Sequence, residues 1–394
     1  MNFFKSISLL LLLSGCFMNI KAQDVTDMPI RKIGVFAPLY LDSAFHGNDY
    51  QFGKKFPRFT LQGFDFVQGV QIASDSFPLS DCKWETSIFD TRSDSLPLTS
   101  LIASHQLDDL QLMLASVKDE AFLQLAGFAK EKNIPLISVT YPNDGNITNN
   151  PYLIILNPTL KTHCESIFSY LLQNHNTDNI IHVRQTGSQE DRVAGYFNAI
   201  NKADNKALLD IKTMNLDSNF YLIKTKLDST RKNIIIGGSL DEDFANSITV
   251  ALNNYKKKYD IMLIGMPNWE SFGTLGKNLR ESAKNFPIYF TSSYYNSRND
   301  TFSNTIQNNY TKQFKGKPSD YTFKSFEAFY VFSRLLNLYP ESLINNITDQ
   351  TFSLFSNYNL VPVHSKKGSK QTDYYENKHL FFLKKMNGQT VNGW

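Results

Sequence analysis

Short apolar runs alternate with longer segments of helical periodicity from residue 32 onward. Several runs are apolar almost throughout, as in Ile234-Ile235-Ile236, which is typical of strands buried on both faces of a parallel sheet. The alternation predicts crossover connections and a doubly wound α/β fold. The runs that we interpret as strands are 32–37, 85–89, 110–114, 135–140, 152–156, 179–183, 208–214, 233–236, 261–266 and 288–291.

The segments between these strands carry apolar stripes at helical spacing. Asp119–Lys132 has Phe122 and Leu125 on one face, and the segments 63–74 and 325–338 repeat the pattern. More strands are present than one compact sheet holds, so we expect two doubly wound parallel-sheet lobes.

The last part of the chain departs from this alternation. Leu360-Val361-Pro362-Val363 and the segment 378–385 have the composition of strands, 365–372 is polar, and Asn387-Gly388 is a turn dipeptide. We therefore expect a β-rich end that adds strands to the edge of a sheet.

The first residues have the pattern of an export signal. An apolar run at 7–18 is shorter than the ~20 residues that a membrane-spanning helix needs, and the boundary Ile20-Lys21-Ala22 follows it. We interpret 1–22 as a signal peptide and expect the protein in the periplasm or cell envelope. Leu13-Ser14-Gly15-Cys16 resembles a bacterial lipobox, so free export and anchoring through a lipid on Cys16 both stay open.

Composition narrows the classes of function. There are 40 basic and 37 acidic residues, and the longest basic run has three, which argues against a nucleic-acid partner. Walker A, GxGxxG, GxSxG and HExxH spacings are missing, and the neighbours His163 and Cys164 point in different directions on a helix. A disulfide between Cys82 and Cys164 stays open in an exported protein, although we favour two buried free thiols, and two cysteines without a CxxC spacing do not build a structural zinc site. We expect no enzyme, no metal and no cofactor.

The order of five stretches carries a resemblance to a known family. They are Ile33-Gly34-Val35-Phe36-Ala37-Pro38-Leu39, Ile88-Phe89-Asp90-Thr91, Leu112-Met113-Leu114-Ala115-Ser116, Ile134-Pro135-Leu136-Ile137-Ser138 and Gly316-Lys317-Pro318-Ser319-Asp320-Tyr321. In this order the mature chain resembles type I periplasmic binding proteins, the leucine/isoleucine/valine-binding branch of the ABC transporter substrate-binding proteins. The resemblance implies two α/β lobes, joined by a hinge of three crossovers, that close on a small solute.

The resemblance also implies where the chain passes between the lobes. We expect crossovers near Asn157-Pro158, Ser292-Ser293 and Val361-Pro362. The expected parts are 30–157 and 293–361 in the first lobe, and 158–292 and the C-terminal strands of 362–394 in the second lobe.

Ligand contacts are implied in the loops that follow strands. Ser116 follows the third strand, where the family contacts a ligand carboxylate, and Thr140 and Tyr141 follow the fourth. The matching positions in the second lobe are Gln185, Thr186 and Ser239.

Three further features have both a functional and a local interpretation. Tyr294, at the second crossover, either stacks on a flat ligand or packs between the lobes. Asp90 either lines the cleft or, as we favour, accepts hydrogen bonds from nearby backbone amides. The segment 185–190 either binds an anion at a helix start or forms a capping box through Ser188 and Asp191.

Two functions from different classes remain. In the first, the protein traps a small polar solute of the amino-acid or amide class and passes it to a membrane transporter or a sensor. In the second, the fold has no small ligand and serves as an envelope scaffold or a regulator of cell-wall enzymes. Small polar residues facing the cleft favour the first, whereas a cleft filled by Tyr141, Tyr294 and Tyr295 favours the second.

Overall fold

The computed structural model describes residues 28–78, 82–203, 206–273, 275, 285–364 and 369–393, and Cys16 with the predicted signal peptide lies outside these ranges. The strands are β1 (Ile30–Ala37), β2 (Phe45–His46), β3 (Asp49–Tyr50), β4 (Lys83–Asp90), β5 (Leu112–Ala115), β6 (Leu136–Ser138), β7 (Leu153–Ile155), β8 (Asn179–Arg184), β9 (Lys202–Ala203), β10 (Lys206–Ala207), β11 (Ile211–Asn215), β12 (Asn233–Gly237), β13 (Ile261–Ile264), β14 (Ile288–Ser292), β15 (Leu360–Val363), β16 (Tyr374–Asn377), β17 (Phe381–Met386) and β18 (Gln389–Asn392).

Helices connect most of the strands of the two large sheets. They are α1 (Leu41–Ala44), α2 (Leu61–Ser76), α3 (Leu98–Ala103), α4 (Asp119–Lys132), α5 (Leu160–Asn174), α6 (Ser188–Ile200), α7 (Glu242–Asn253), α8 (Thr301–Phe314) and α9 (Asp320–Leu338). Short 3-10 segments are present at Arg58–Thr60, Phe220–Lys226, Pro267–Ser271 and Leu343–Asn346.

Two large and mostly parallel sheets form the centres of two lobes. Seven strands are described in each, in the order β15-β16-β7-β6-β5-β1-β4 in the first and β11-β8-β12-β13-β14-β17-β18 in the second. β15 runs antiparallel to β16, β17 to β14 and β18 to β17. The predicted α/β fold with two parallel-sheet lobes is confirmed, and the antiparallel strands come from the β-rich end of the chain.

The central strands are buried on both faces, as their continuous apolar runs predict. Every residue of β5 and of β12 is buried. β11, predicted from the run 208–214, is instead an edge strand of the second sheet, on which Lys212 and Thr213 are exposed.

The helices α2 and α9 pack closely against each other on one face of the first sheet. A Cβ atom at Gly69 of α2 would lie 2.1 Å from the carbonyl oxygen of Thr322 and 2.1 Å from the hydroxyl of Ser325, both on α9. The two helices therefore approach at a point that only glycine allows. This packing fixes the position of α9 and therefore of Lys324, which lies on α9.

The chain passes between the two sheets three times. The first passage lies between β7 and β8, the second between β14 and β15, and the third between β16 and β17. The third is later than predicted, because β15 and β16 both belong to the first sheet and the chain crosses after Asn377, not near Val361-Pro362. β16 has no apolar signature in the sequence because its buried residues include Glu376 and Asn377.

Two expectations from composition can be compared with the structure. Cys82 and Cys164 are both buried thiols, as predicted. Burial raises the pKa of the Cys164 thiol, so this thiol stays protonated and unreactive at neutral pH. Within the described ranges, no helix combines the length and the apolar composition that crossing a bilayer requires.

Candidate functional site

The carboxyl ends of β5 and β6 place two predicted contact residues side by side. Ser116 follows β5 and Thr140 follows β6, and their hydroxyl oxygens are joined by a hydrogen bond of 2.9 Å. Ser116 is only 1% exposed, so Thr140 rather than bulk water orients its hydroxyl. This edge of the first sheet is where open α/β sheets bind ligands.

A cavity of about 280 Å³, which we call the rim cavity, opens at this edge. Ser116, Thr140 and Tyr141 all line it, so the structure brings the three first-lobe residues predicted from the sequence to one place. Its other walls include aromatic rings and two cations, which are Tyr40, Phe59, Tyr321, Arg92 and Lys118. The rim cavity is thus formed by the first lobe alone.

A larger cavity of about 390 Å³, which we call the hinge cavity, lies between the two lobes. Its volume is typical of small-molecule sites. Tyr141 and Pro142 line both cavities, which are therefore neighbours with a shared wall. Polar residues from both lobes line the hinge cavity, among them Asn143, Asn157, His163, Asn268, Glu270, Ser292 and Lys324.

Opposite charges face the hinge cavity, from Lys324 in the first lobe and from Glu270 and Arg192 in the second. Glu270, in the second lobe, accepts a hydrogen bond of 2.6 Å from the Ser292 hydroxyl, and burial raises the pKa of its carboxyl. Lys324, in the first lobe, has its Nζ 5.2 Å from the centre of the Tyr294 ring, and burial lowers the pKa of its ammonium although Asp320 and Glu270 act in the other direction. Burial has removed water from the Glu270 carboxylate and from the Lys324 ammonium. A ligand group of opposite charge therefore stabilises the charged form of each.

One amide oxygen of the hinge cavity has no hydrogen-bond partner among the described residues. Asn268 donates from Nδ2 to the carbonyl oxygen of Leu240 at 2.6 Å, whereas its Oδ1 is buried and unpartnered. Buried acceptors in proteins are normally satisfied. Asn268 and Glu270 lie on the same 3-10 segment, which therefore offers two acceptors to an N–H group of a ligand.

His163 lines the hinge cavity but has a structural partner. Its Nδ1 lies 2.8 Å from the hydroxyl oxygen of Thr291, and burial lowers the pKa of the imidazole to about 3, so the ring is neutral at pH 7. The adjacent Cys164 lies in the apolar core of the second lobe, and the two do not form a nucleophile–base pair. In the part of the chain that the structure describes, no group of three or more His, Cys, Asp or Glu is placed to hold a metal ion.

The predicted contacts of the second lobe bind local partners instead of lining either cavity. The Ser239 hydroxyl is fully buried, donates to Glu190 at 2.6 Å and accepts from the Gln185 amide at 3.3 Å. Thr186 donates from its backbone N–H and its hydroxyl to Asp217. Ser239 does not face a cavity because its hydroxyl is hydrogen-bonded to the buried carboxylate of Glu190. The family resemblance assigns this hydroxyl to a ligand.

The start of α6 differs from its capping-box interpretation in the sequence. α6 begins at Ser188 after the N-cap Gly187, so the capping box through Ser188 and Asp191 does not form. α7 is capped by Asp241, whose side chain accepts from the backbone N–H of Phe244.

The two tyrosines of the second crossover have packing roles. Tyr294 is 6% exposed and belongs to the apolar core of the first lobe, so it presents no face to either cavity. The Tyr295 ring lies 6.1 Å from the Phe381 ring, centre to centre. Tyr294 therefore packs inside the first lobe and not between the lobes, whereas Tyr295 packs against β17 of the second sheet.

Asp90 organises the loop that follows β1. Its carboxylate accepts hydrogen bonds from the backbone amides of Leu39, Tyr40, Leu41 and Arg92. The local interpretation of Asp90 is confirmed. The same bonds fix Tyr40 at the wall of the rim cavity.

Lys324 and Glu270 of the hinge cavity are not among the site residues that the sequence predicts. Lys324 lies on α9, whose sequence is typical of an aromatic core helix. The position of Lys324 in that sequence does not distinguish it from a surface lysine. Asn268 and Glu270 follow the carboxyl end of β13. The rule that selects Ser116 and Thr140 also selects these two residues when it is applied to β13.

Solved structures of transport proteins share this two-lobe architecture. A Rhodospirillum rubrum protein assigned provisionally to the branched-chain amino acid ABC transporters matches over 93% of this chain and 99% of that chain, with 11% identity and a TM-score of 0.65. An ABC transporter substrate-binding protein from Desulfitobacterium hafniense in complex with leucine matches over 92% and 99%, with 12% identity and a TM-score of 0.53. The chain has the fold of type I periplasmic binding proteins.

Ligands differ among the proteins with this fold. A solute-binding protein from R. palustris in complex with benzoate matches over 92% of this chain and 94% of that chain, with 12% identity and a TM-score of 0.50. No family model and no curated protein matches the sequence. The ligand of this chain therefore has to be argued from its own residues.

Proposed function

We propose that the protein is an exported solute-binding protein that traps a small polar ligand of the amino-acid or amide class for a membrane transporter or a sensor. The observation that carries the proposal is the hinge cavity, which presents Lys324 from the first lobe and Glu270 from the second. A zwitterionic amino acid matches both charges. Its ammonium group suits Glu270 and the free Oδ1 of Asn268, and its carboxylate suits the Lys324 ammonium.

The placement of the two charges on different lobes connects binding to closure. A ligand that contacts both charges bridges the lobes, and it binds the closed arrangement better than an open one. Three chain segments pass between the lobes, as in a hinge. The proposed cycle is therefore capture by one lobe, closure of the other over the ligand, and release on opening.

The positions of the tyrosines weigh against the scaffold alternative. A cleft filled by Tyr141, Tyr294 and Tyr295 would favour a fold without a ligand. Tyr294 and Tyr295 pack elsewhere, and only Tyr141 lines the cavities, with its hydroxyl donated to Asp119 at 3.2 Å. The space between the lobes thus stays open to a solute.

A thermal-shift screen tests the proposal. It compares amino acids, amino-acid amides, small aromatic carboxylates and peptidoglycan fragments at equal concentration. A true ligand at 100 times its Kd should raise the free energy of unfolding by about 2.7 kcal/mol. Stabilisation by peptidoglycan fragments, with none by the small solutes, would contradict the proposal and support the scaffold.

A further inference from the structure

The rim cavity has chemistry of its own beside the hinge cavity. Tyr141 separates the two, and its side chain is held against the first lobe. Its hydroxyl donates to Asp119 at 3.2 Å, and its ring meets the Phe122 ring edge to face, with 5.1 Å between the ring centres. Tyr141 is therefore a fixed wall that the two cavities share.

Two cations stand at the walls of the rim cavity. Arg92 and Lys118 both line it, and neither takes part in an ion pair among the described residues. The nearby Asp90 carboxylate already accepts four backbone N–H groups, so it offers little to either cation. Both residues are exposed, so the rim cavity offers two solvated cations to an anionic group of a ligand.

The remaining walls suit the body of an organic ligand. The Tyr40 and Phe59 rings meet edge to face, with 5.2 Å between their centres, and Tyr321 lines the cavity with them. The hydroxyls of Ser116 and Thr140 add donors and acceptors. A ligand part that is partly apolar and ends in a carboxylate matches this lining.

We propose that the solute carries a second carboxylate beyond its zwitterionic head, and that Arg92 and Lys118 bind this group in the rim cavity. A short acidic peptide is the simplest compound of this class, with its ammonium and one carboxylate in the hinge cavity. This inference rests on the proposed function, since it takes the hinge cavity as the site of the head group. It makes Arg92 and Lys118 the residues that determine specificity.

The test uses two dipeptides of nearly the same shape, Ala-Glu and Ala-Gln, together with free alanine. Titration calorimetry on the full mature chain should show that Ala-Glu binds about tenfold more tightly than Ala-Gln, because charge-assisted hydrogen bonds are stronger than neutral ones. Arg92→Gln and Lys118→Gln should each reduce this ratio, and the double variant should bring it close to one. The affinity for Ala-Gln should stay as in the wild type.

The control is Lys130→Gln on α4, an exposed lysine that lines neither cavity. It should keep the wild-type ratio, and thermal unfolding should show that all variants are folded. Equal affinities for Ala-Glu and Ala-Gln, or a ratio that the double variant retains, would overturn the inference. Binding of alanine without binding of either dipeptide would overturn it while the proposed function stands. Failure of every amino acid and dipeptide to bind would remove both.

Discussion

The carboxylate of Glu376 accepts a hydrogen bond from the hydroxyl of Thr162 at 2.7 Å, although the two residues belong to different lobes. Glu376 lies on β16 in the first sheet, and Thr162 lies in the first turn of α5, which packs on the second. The same oxygen accepts the backbone N–H of Thr159, and the other oxygen accepts from the Lys378 ammonium, each at 2.7 Å. Glu376 therefore joins the first and third crossovers of the hinge.

Glu376→Gln should reduce the free energy of unfolding by about 2 kcal/mol, because charge-assisted bonds are lost from a side chain that is only 2% exposed. Chemical denaturation measures this loss. The matched control is Glu165→Gln, whose carboxylate lies 3.7 Å from the same Lys378 but is 38% exposed. Its effect should be small. Equal effects of the two substitutions would contradict a special role of Glu376.

Gly69→Ala should destabilise the protein strongly. The added methyl group would meet a backbone carbonyl of α9 at 2.1 Å, so α2 and α9 have to move apart. The control is Gly127→Ala on α4, where nothing lies within 4 Å of the new Cβ atom. That substitution should stabilise the chain by up to ~1 kcal/mol through helix propensity. Thermal unfolding of both variants measures the contrast, and a neutral Gly69→Ala would contradict the described packing.

The architecture was accessible from the sequence because it rests on local patterns. Ile234-Ile235-Ile236 is a continuous apolar run, and such runs can be buried only between two layers of helices. Ser116 and Thr140 could be selected because the carboxyl ends of parallel strands share one edge. Both inferences need only the order of the elements and no knowledge of individual contacts.

Other parts of the site depend on contacts between distant residues. Ser239 occupies a suitable position, but Glu190, 49 positions away, takes its hydroxyl. β16 can bury the polar side chain of Glu376 because Thr159 and Thr162 donate hydrogen bonds to its carboxylate. Lys324 faces the hinge cavity because of the way α9 packs on α2. None of these contacts leaves a periodic signal in the chain.

Buried histidines should make the protein less stable in mild acid. Burial lowers the pKa of His163 to about 3 and that of His182 to about 4, from an ordinary value of 6.5. Between its folded pKa and 6.5, each histidine is protonated in the unfolded chain but not in the folded chain. The free energy of unfolding therefore falls as the pH falls below 6.5, by about 1.4 kcal/mol per pH unit for each histidine.

The His163→Gln variant isolates one of these residues. Urea denaturation at pH 7 and pH 5 should show a loss of stability that is about 2 kcal/mol smaller in the variant than in the wild type. His46→Gln, at an exposed position, is the control and should lose as much as the wild type. A wild-type protein that is equally stable at both values of pH would contradict the burial of neutral histidines.

The hydroxyl pair of the rim cavity should behave as a unit. Ser116→Ala and Thr140→Val should each weaken binding of a solute that enters the rim cavity by about 1 kcal/mol, because each leaves the other hydroxyl without its partner. The double variant should lose less than the sum of the single losses. Calorimetry on the four proteins of this cycle measures the coupling, and strictly additive losses would show that the two hydroxyls act independently.

The most direct test of a solute site between the lobes is calorimetry on variants of Lys324 and Glu270. Lys324→Met and Glu270→Gln nearly keep the side-chain volumes, and Lys312→Met on α8 is the exposed control. For the solute that stabilises the wild type most in the screen, each cavity variant should weaken binding at least about tenfold, because a desolvated ligand charge loses its partner. The control should bind as the wild type does. Unchanged affinity in both cavity variants would show that the solute does not bind between Lys324 and Glu270, and would contradict this account.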